Sequence, residues 1–238
     1  MALIQKGRMQ AESGGKIEQV FVANGLLCWM YLIRQDLEEA SDKREEALKF
    51  FGLSPDKKTI LVVGGSLGAR TINRSIQGDL DKLFASDVDV QVIWQTGRYY
   101  HEEALKHLKA YRGMPIWCSD FITRMDYAYA AADLIISRAG ASSISELCLL
   151  KKPVILVPSP NVAEDHQTKN ALALVGKDAA VMVADKDAEQ QLVSKALEII
   201  HDDERLRVLG RNIATLAQHQ SAERIVDEIV KIIEKKNL

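Results

Sequence analysis

From residue 59 onward the chain alternates short runs of apolar, β-branched residues with longer amphipathic stretches, and this alternation limits the fold more than any other feature. The runs TILVV (59–63), VQVIW (90–94), MPIW (114–117), DLIIS (133–137), PVILV (153–157) and AAVMV (179–183) read as strands. Several are apolar on both faces, which is the pattern of buried parallel strands. The stretches between them, 69–84, 99–110, 124–132, 143–151 and 164–175, read as helices. Strand–helix–strand at this spacing requires right-handed crossovers. The expectation is therefore an α/β fold with a Rossmann-like, doubly wound parallel sheet. Segments 186–201, 203–219 and 221–236 read as three closing helices.

The pattern before residue 59 is poorer. Asp42 with Glu45 opens a capped helix over EEALKFF (45–51), ended by Gly52 and Pro55. KIEQVFVA (16–23) reads as one strand, and LLCWMYLI (26–33) as a strand or buried turn. The latter is the longest apolar run, far short of the ~20 residues that span a bilayer. Residues 1–33 are thus expected to form an irregular lead, and 34–238 one Rossmann-like domain. A formal charge of -2, from 31 basic and 33 acidic residues, argues against a surface built to coat nucleic acid. Cys28, Cys118 and Cys148 are odd in number and form no CxxC, which suits a reduced, cytoplasmic chain. No signal peptide is read at the N-terminus, so any membrane contact is expected to be peripheral.

Three strand ends carry polar or glycine-rich motifs. VVGGSLGAR (62–70) runs from strand through a glycine turn into a helix, where free N–H groups attract an anion such as phosphate. Its spacing matches neither the dinucleotide GxGxxG nor the Walker loop, and a ligand-free tight turn is the lesser alternative. DLIISRAGASSISE (133–146) is a second strand followed by small residues at a helix start, with Ser142 and Ser143 adding hydroxyls. Glu146 there is either an acceptor for two ribose hydroxyls or the far end of a capping box begun by Ser143. PSPNVAEDHQTKNA (158–171) crowds Glu164, Asp165, His166, Gln167 and Asn170 after the fifth strand, as suits recognition of sugar hydroxyls or merely a solvated helix start. One histidine beside acids makes a poor metal site, so none is expected.

Lesser features have mostly bland readings. Gln95, Thr96 and Gly97 face the same cleft or make a turn. Phe121 and Ile122 form an apolar shelf for a flat base or pack in the core. Asp87-Val88-Asp89 precedes a strand and reads as loop, Met125, Tyr127 and Tyr129 read as helix packing, and His101 and His107 as solvated. No serine elbow or catalytic triad stands out.

Taken together, GGSLGAR (64–70), VIWQTG (92–97), FITRMDYAYAAAD (121–133), SRAGASSISE (137–146), KPVILVPSP (152–160) and EDHQTKNA (164–171) resemble the carboxyl-terminal half of the MurG family. These are GT-B-fold glycosyltransferases that use UDP-N-acetylglucosamine as donor. The resemblance covers about residues 34–236 and implies a UDP-sugar-binding domain without a separate cofactor. It implies Ser66 near the donor phosphates and the backbone of Ile122 on the uracil edge. It implies that Ala141, Ser142, Ser143, Ile144, Ser145 and Glu146 wrap the phosphates and ribose, with Glu146 on the ribose hydroxyls. Gln167 would read the sugar, with His166 and Asn170 close by. Arg34 would match the family's linker arginine, although Leu32 and Ile33 stand where that segment has Asn and Pro.

Nothing in residues 1–33 matches the family's amino-terminal domain, which binds the lipid-linked acceptor and carries the membrane-facing patch. The resemblance therefore implies a fragment, a truncated chain or one part of a split gene, without a convincing general base and without turnover alone. The implied full reaction is inverting transfer of N-acetylglucosamine to the muramyl-pentapeptide lipid of peptidoglycan synthesis, at the cytoplasmic face of the inner membrane. A non-catalytic nucleotide-sugar-binding module and a UDP-sugar epimerase-like protein stand as alternatives.

Overall fold

The computed structural model describes residues 43–85 and 89–217, and the backbone of two strands nearer the amino terminus. Those two, β1 (Gln19–Ala23) and β2 (Leu26–Met30), pair antiparallel with Phe21 opposite Cys28. Helix α1 (Arg44–Phe51) follows and ends at Gly52, whose φ of 67° is left-handed backbone that glycine adopts without a Cβ clash. Its N-cap is Lys43, with no side-chain cap bond; Asp42, the expected cap, lies outside the described residues.

Strands β3 (Lys58–Val63), β4 (Val90–Gln95), β5 (Ile116–Ser119), β6 (Leu134–Ser137), β7 (Val154–Leu156) and β8 (Val181–Met182) form one sheet. All pairings are parallel, in the order β5-β4-β3-β6-β7-β8. The chain thus winds outward from β3 in one direction, then returns to β3's other side at β6. The connecting helices are α2 (Arg70–Gly78), α3 (Leu80–Leu83), α4 (His101–Leu108), α5 (Met125–Ala131), α6 (Ala141–Leu149) and α7 (His166–Val175), closed by α8 (Ala188–Ile200) and α9 (Asp203–Ala214).

Side chains of a strand point alternately to its two faces, and the core divides accordingly. Ile60, Val62, Val92, Trp94, Leu134, Ile136 and Ile155 are buried on one face with Ile72 and Ile76 of α2 and Leu192 and Val193 of α8. Leu61, Ile93, Ile135, Val154 and Leu156 are buried on the other, with Leu48 and Phe51 of α1, Tyr129 of α5 and Leu147 of α6. Two apolar layers on one sheet explain why these strands are apolar at successive positions. On the second layer α1 is held by aromatic edges, with Phe51 on Trp117 at 4.9 Å and Phe50 on Tyr127 at 5.5 Å.

Several boundaries differ from expectation. The helix expected over 69–84 is broken at Asp79, which sits at φ −117° and ψ 22° after Gly78, a weak helix former. The third strand runs two residues later than 114–117. Pro115 has no N–H for the ladder, although its carbonyl still accepts from Val92 at 3.0 Å. Of the closing segments, 221–236 lies outside the described residues. Among those described, no helix is long and apolar enough to cross a membrane.

Candidate functional site

In an open parallel sheet the ligand crevice forms at the carboxyl ends of the strands, where the winding reverses. Here that point lies between β3 and β6, whose last paired residues are Val63 and Ser137. The two turns expected to receive an anion, Gly64–Ala69 and Arg138–Gly140, are therefore neighbours. Each feeds a helix, α2 and α6, whose first N–H groups carry no side-chain cap. Uncapped helix starts leave donors and a partial positive charge facing the crevice.

The glycines of the first turn do different jobs. A Cβ on Gly64 would lie 2.6 Å from Ala69 N, and one on Gly68 2.1 Å from the Thr96 carbonyl. Both are required by packing of this turn on itself and on the next one. Gly65 has φ 90° and open space where its side chain would be, so its surface stays available to a ligand. Ser66 is exposed at the tip of the turn.

Within WQTG, Gln95 is buried and bridges two loops. Its buried side-chain amide donates to the Gly65 carbonyl at 3.0 Å and accepts from the Ile122 N–H at 2.9 Å. It thereby ties the turn after β3 to the loop after β5. Ile122 is buried, and its N–H is engaged by Gln95. Phe121 beside it is 53% exposed. The loop's far end is clamped by Arg124, which binds both carboxylate oxygens of Asp126 at 3.0 and 2.8 Å and lies over the Tyr127 ring. That bidentate bond holds the Asp126 carboxyl below its ordinary range. His101 is not merely solvated, since its Nδ1 lies 3.2 Å from the Thr96 hydroxyl.

Helix α6 starts at Ala141 with Gly140 as N-cap, two residues before the start expected. Ser143 therefore lies inside the first turn and cannot cap it, which excludes the capping-box reading of Glu146. Glu146 instead accepts a hydrogen bond at 2.8 Å from the hydroxyl of Tyr129, the residue read as plain helix packing. Ser142 is exposed; the Ser145 hydroxyl returns to the Ala141 carbonyl at 3.0 Å, and Ile144 packs against the core.

The residues expected to read a sugar gather at the start of α7. The Gln167 side-chain carbonyl accepts from Ser159 N–H at 2.9 Å, leaving its NH2 end to donate. Asn170 donates to the Ala139 carbonyl at 3.2 Å and so fastens α7 to the turn after β6. His166 opens the helix half-buried. Just before it, Glu164 and Asp165 both hold left-handed backbone, at φ 55° and 51°. Two consecutive non-glycine residues in that region are strained, and such strain concentrates at ligand-facing loops. Arg34 lies outside the described residues.

Sequence reasoning missed the hub behind these loops. Arg138 donates to the carbonyls of Val157 and Pro158 at 3.0 and 3.2 Å and pairs with Asp185 at 2.5 Å. Asp185 also accepts from the Thr71 hydroxyl in the first turn of α2 at 2.9 Å. One largely buried ion pair therefore joins the ends of β6 and β7 to α2. Asp185 carries no local signal of this, since its partners are remote in sequence. Among the described residues no group of three or more His, Cys, Asp or Glu side chains could hold a metal ion.

The Glycosyltransferase family 28 C-terminal domain matches residues 59–229. A Parabacteroides distasonis UDP-N-acetylglucosamine--N-acetylmuramyl-(pentapeptide) pyrophosphoryl-undecaprenol N-acetylglucosamine transferase is 79% identical over 92% of this chain and 59% of its own length. The Bacteroides fragilis protein of the same name is 52% identical over 98% of this chain and 61% of its own. The crystal structure of Acinetobacter baumannii MurG superposes with a TM-score of 0.67 at 27% identity, over 88% of this chain and 58% of that one. This chain thus spans about three-fifths of the curated relatives it matches. With the fold and the paired turns at the switch point, these likenesses show that the chain belongs to glycosyltransferase family 28 and carries the C-terminal domain of a MurG-type member.

Proposed function

We propose that this chain binds UDP-N-acetylglucosamine as the donor half of an inverting N-acetylglucosaminyltransferase acting on the lipid-linked muramyl-pentapeptide of peptidoglycan synthesis. The observation that carries the reading is the adjacency of two uncapped helix starts, α2 and α6, at the sheet's switch point, with Glu146 on the second. A diphosphate is the ligand that two such starts accept together. The uracil edge meets the backbone of Ile122, the phosphates meet Ser66 and the backbone from Ala141 to Ser143, and the ribose hydroxyls meet Glu146. The sugar meets the Gln167 amide, with His166 and Asn170 alongside.

In the reaction an acceptor hydroxyl attacks the anomeric carbon from the face opposite UDP. The C–O bond to the diphosphate breaks, UDP leaves and the configuration inverts. The helix starts stabilise the charge that develops on the leaving diphosphate, each by roughly 0.3–1 kcal/mol when exposed and more in a closed site. A general base must take the acceptor's proton, and this reading assigns none to the described residues. The acceptor and the base belong to the part of the relatives' length that this chain does not span, so the chain alone binds donor with little or no transfer. On this reading the work is done at the cytoplasmic face of the inner membrane.

Calorimetric titration with UDP-N-acetylglucosamine, using UDP-N-acetylgalactosamine and NADH as controls, tests the proposal. Saturable binding that prefers the gluco sugar and disappears in Glu146→Ala is the expected outcome. Binding of no UDP compound, or normal transfer by these 238 residues alone, would overturn it.

A further inference from the structure

Glu146 sits in the second turn of α6, half-buried, on a side chain with three rotatable bonds. Fixing such a chain costs rotamer entropy. Its carboxylate is oriented from another element. Tyr129, on α5, is 5% exposed, and its ring is packed in the core layer that also holds Ala128, Ile135 and Leu147. A ring so enclosed has little freedom, and its hydroxyl donates to Glu146 Oε2 at 2.8 Å. This is a charge-assisted bond, stronger than one between neutral groups.

We infer that Tyr129 is a positioning residue that gives the site its preference for a ribonucleotide over a deoxyribonucleotide; this rests on the donor reading of Glu146 above. Two vicinal ribose hydroxyls can both donate to one carboxylate only if its plane is set correctly. A carboxylate has about four lone-pair positions on two oxygens, and a phenolic donor on one of those oxygens orients its plane. A 2′-deoxyribose presents a single hydroxyl and follows a tilted carboxylate at little cost. The gain from preorganisation is therefore realised mainly by the ligand that uses both bonds. A merely structural role for the phenol, which needs some partner when buried, would treat both nucleotides alike.

The test is a cycle of Tyr129→Phe, Glu146→Gln and the double variant in the full chain, titrated calorimetrically with UDP and with 2′-deoxy-UDP. Tyr129→Phe is expected to weaken UDP about five- to tenfold and 2′-deoxy-UDP less than about twofold, and to cause no further loss on the Glu146→Gln background. Because the readout is a ratio between two ligands on one protein, a reduced folded fraction cancels. Equal losses on both nucleotides, no loss on UDP, or an undiminished loss in the Glu146→Gln background would overturn the inference while leaving the donor reading intact. Failure of the unsubstituted chain to bind UDP would sink both.

Discussion

The two sides of the switch point are built on different principles. After β3 and β4 the turns pack backbone on backbone, with Gln95 and Asn73 adding side-chain ties: a Cβ on Gly97 would lie 2.1 Å from Gly68 N, and one on Gly68 2.1 Å from the Thr96 carbonyl. After β6 and β7 the turns are held by side chains reaching from elsewhere, through Arg138, Asp185, Gln167 and Asn170. A backbone-closed turn has one shape and little tolerance. A side-chain-held turn can be retuned through Arg138 or Asp185, neither of which is placed against the donor.

The harshest way to break that contrast is to put a methyl group into the first side. Gly68→Ala combines a clash with backbone and left-handed φ, and should cost about 3 kcal/mol or more in urea denaturation. Gly65→Ala has the same sign of φ but open space around it, and should cost only about 1–2 kcal/mol. Equal losses at the two glycines would show that the turn is strained and not packed.

A milder change probes the second side. Arg138→Leu leaves the largely buried Asp185 carboxylate without its cation and three segments without their tie. A loss of about 2–3 kcal/mol is expected, below the full value for a deeply buried pair because both side chains keep some solvent contact. Asp185→Asn on that background should recover part of it, since no lone charge then remains.

The smallest effect expected is on pH dependence. The Asp126 carboxyl is held low by Arg124, so its contribution to stability is fully present above the unfolded value of about 3.9 and lost as pH falls through the lower folded value. Asp126→Asn should lower stability modestly at neutral pH, where that contribution is present, and change it least at the acid end, so that the acid limb of the stability–pH curve flattens. A curve that keeps its full acid slope would move the origin of that slope elsewhere.

How much of this was legible beforehand follows from the range of the interactions involved. The strands were readable because apolar side chains on both faces leave an uninterrupted run, and Ile60, Leu61 and Val62 go to two different core layers as such a run requires. The adjacency of the two turns was readable from strand alternation and the preference of ligands for strand ends. Helix starts were less so: Ser143 followed by Glu146 looks like a cap, yet Gly140 takes that place because the strand ends at Ser137 and the turn needs only three residues. The Tyr129–Glu146 bond, the Gln95 bridge and the Arg138–Asp185 pair had no local signature at all. They join residues distant in sequence, and only the completed sheet sets their separation.

The strand order also carries a consequence for how the chain reaches this state. Every pairing in the six-stranded sheet waits on a helical crossover, and contacts remote in sequence form slowly because closing the intervening loop costs entropy. Residues 58 and 90 meet when β3 finds β4, but residues 60 and 134 must meet before β6 can lie against β3. The seam that demands the longest loop closure is the one that makes the crevice. In refolding, the half-sheet β3–β5 should acquire amide-exchange protection first, and nucleotide binding should appear only with the last kinetic phase.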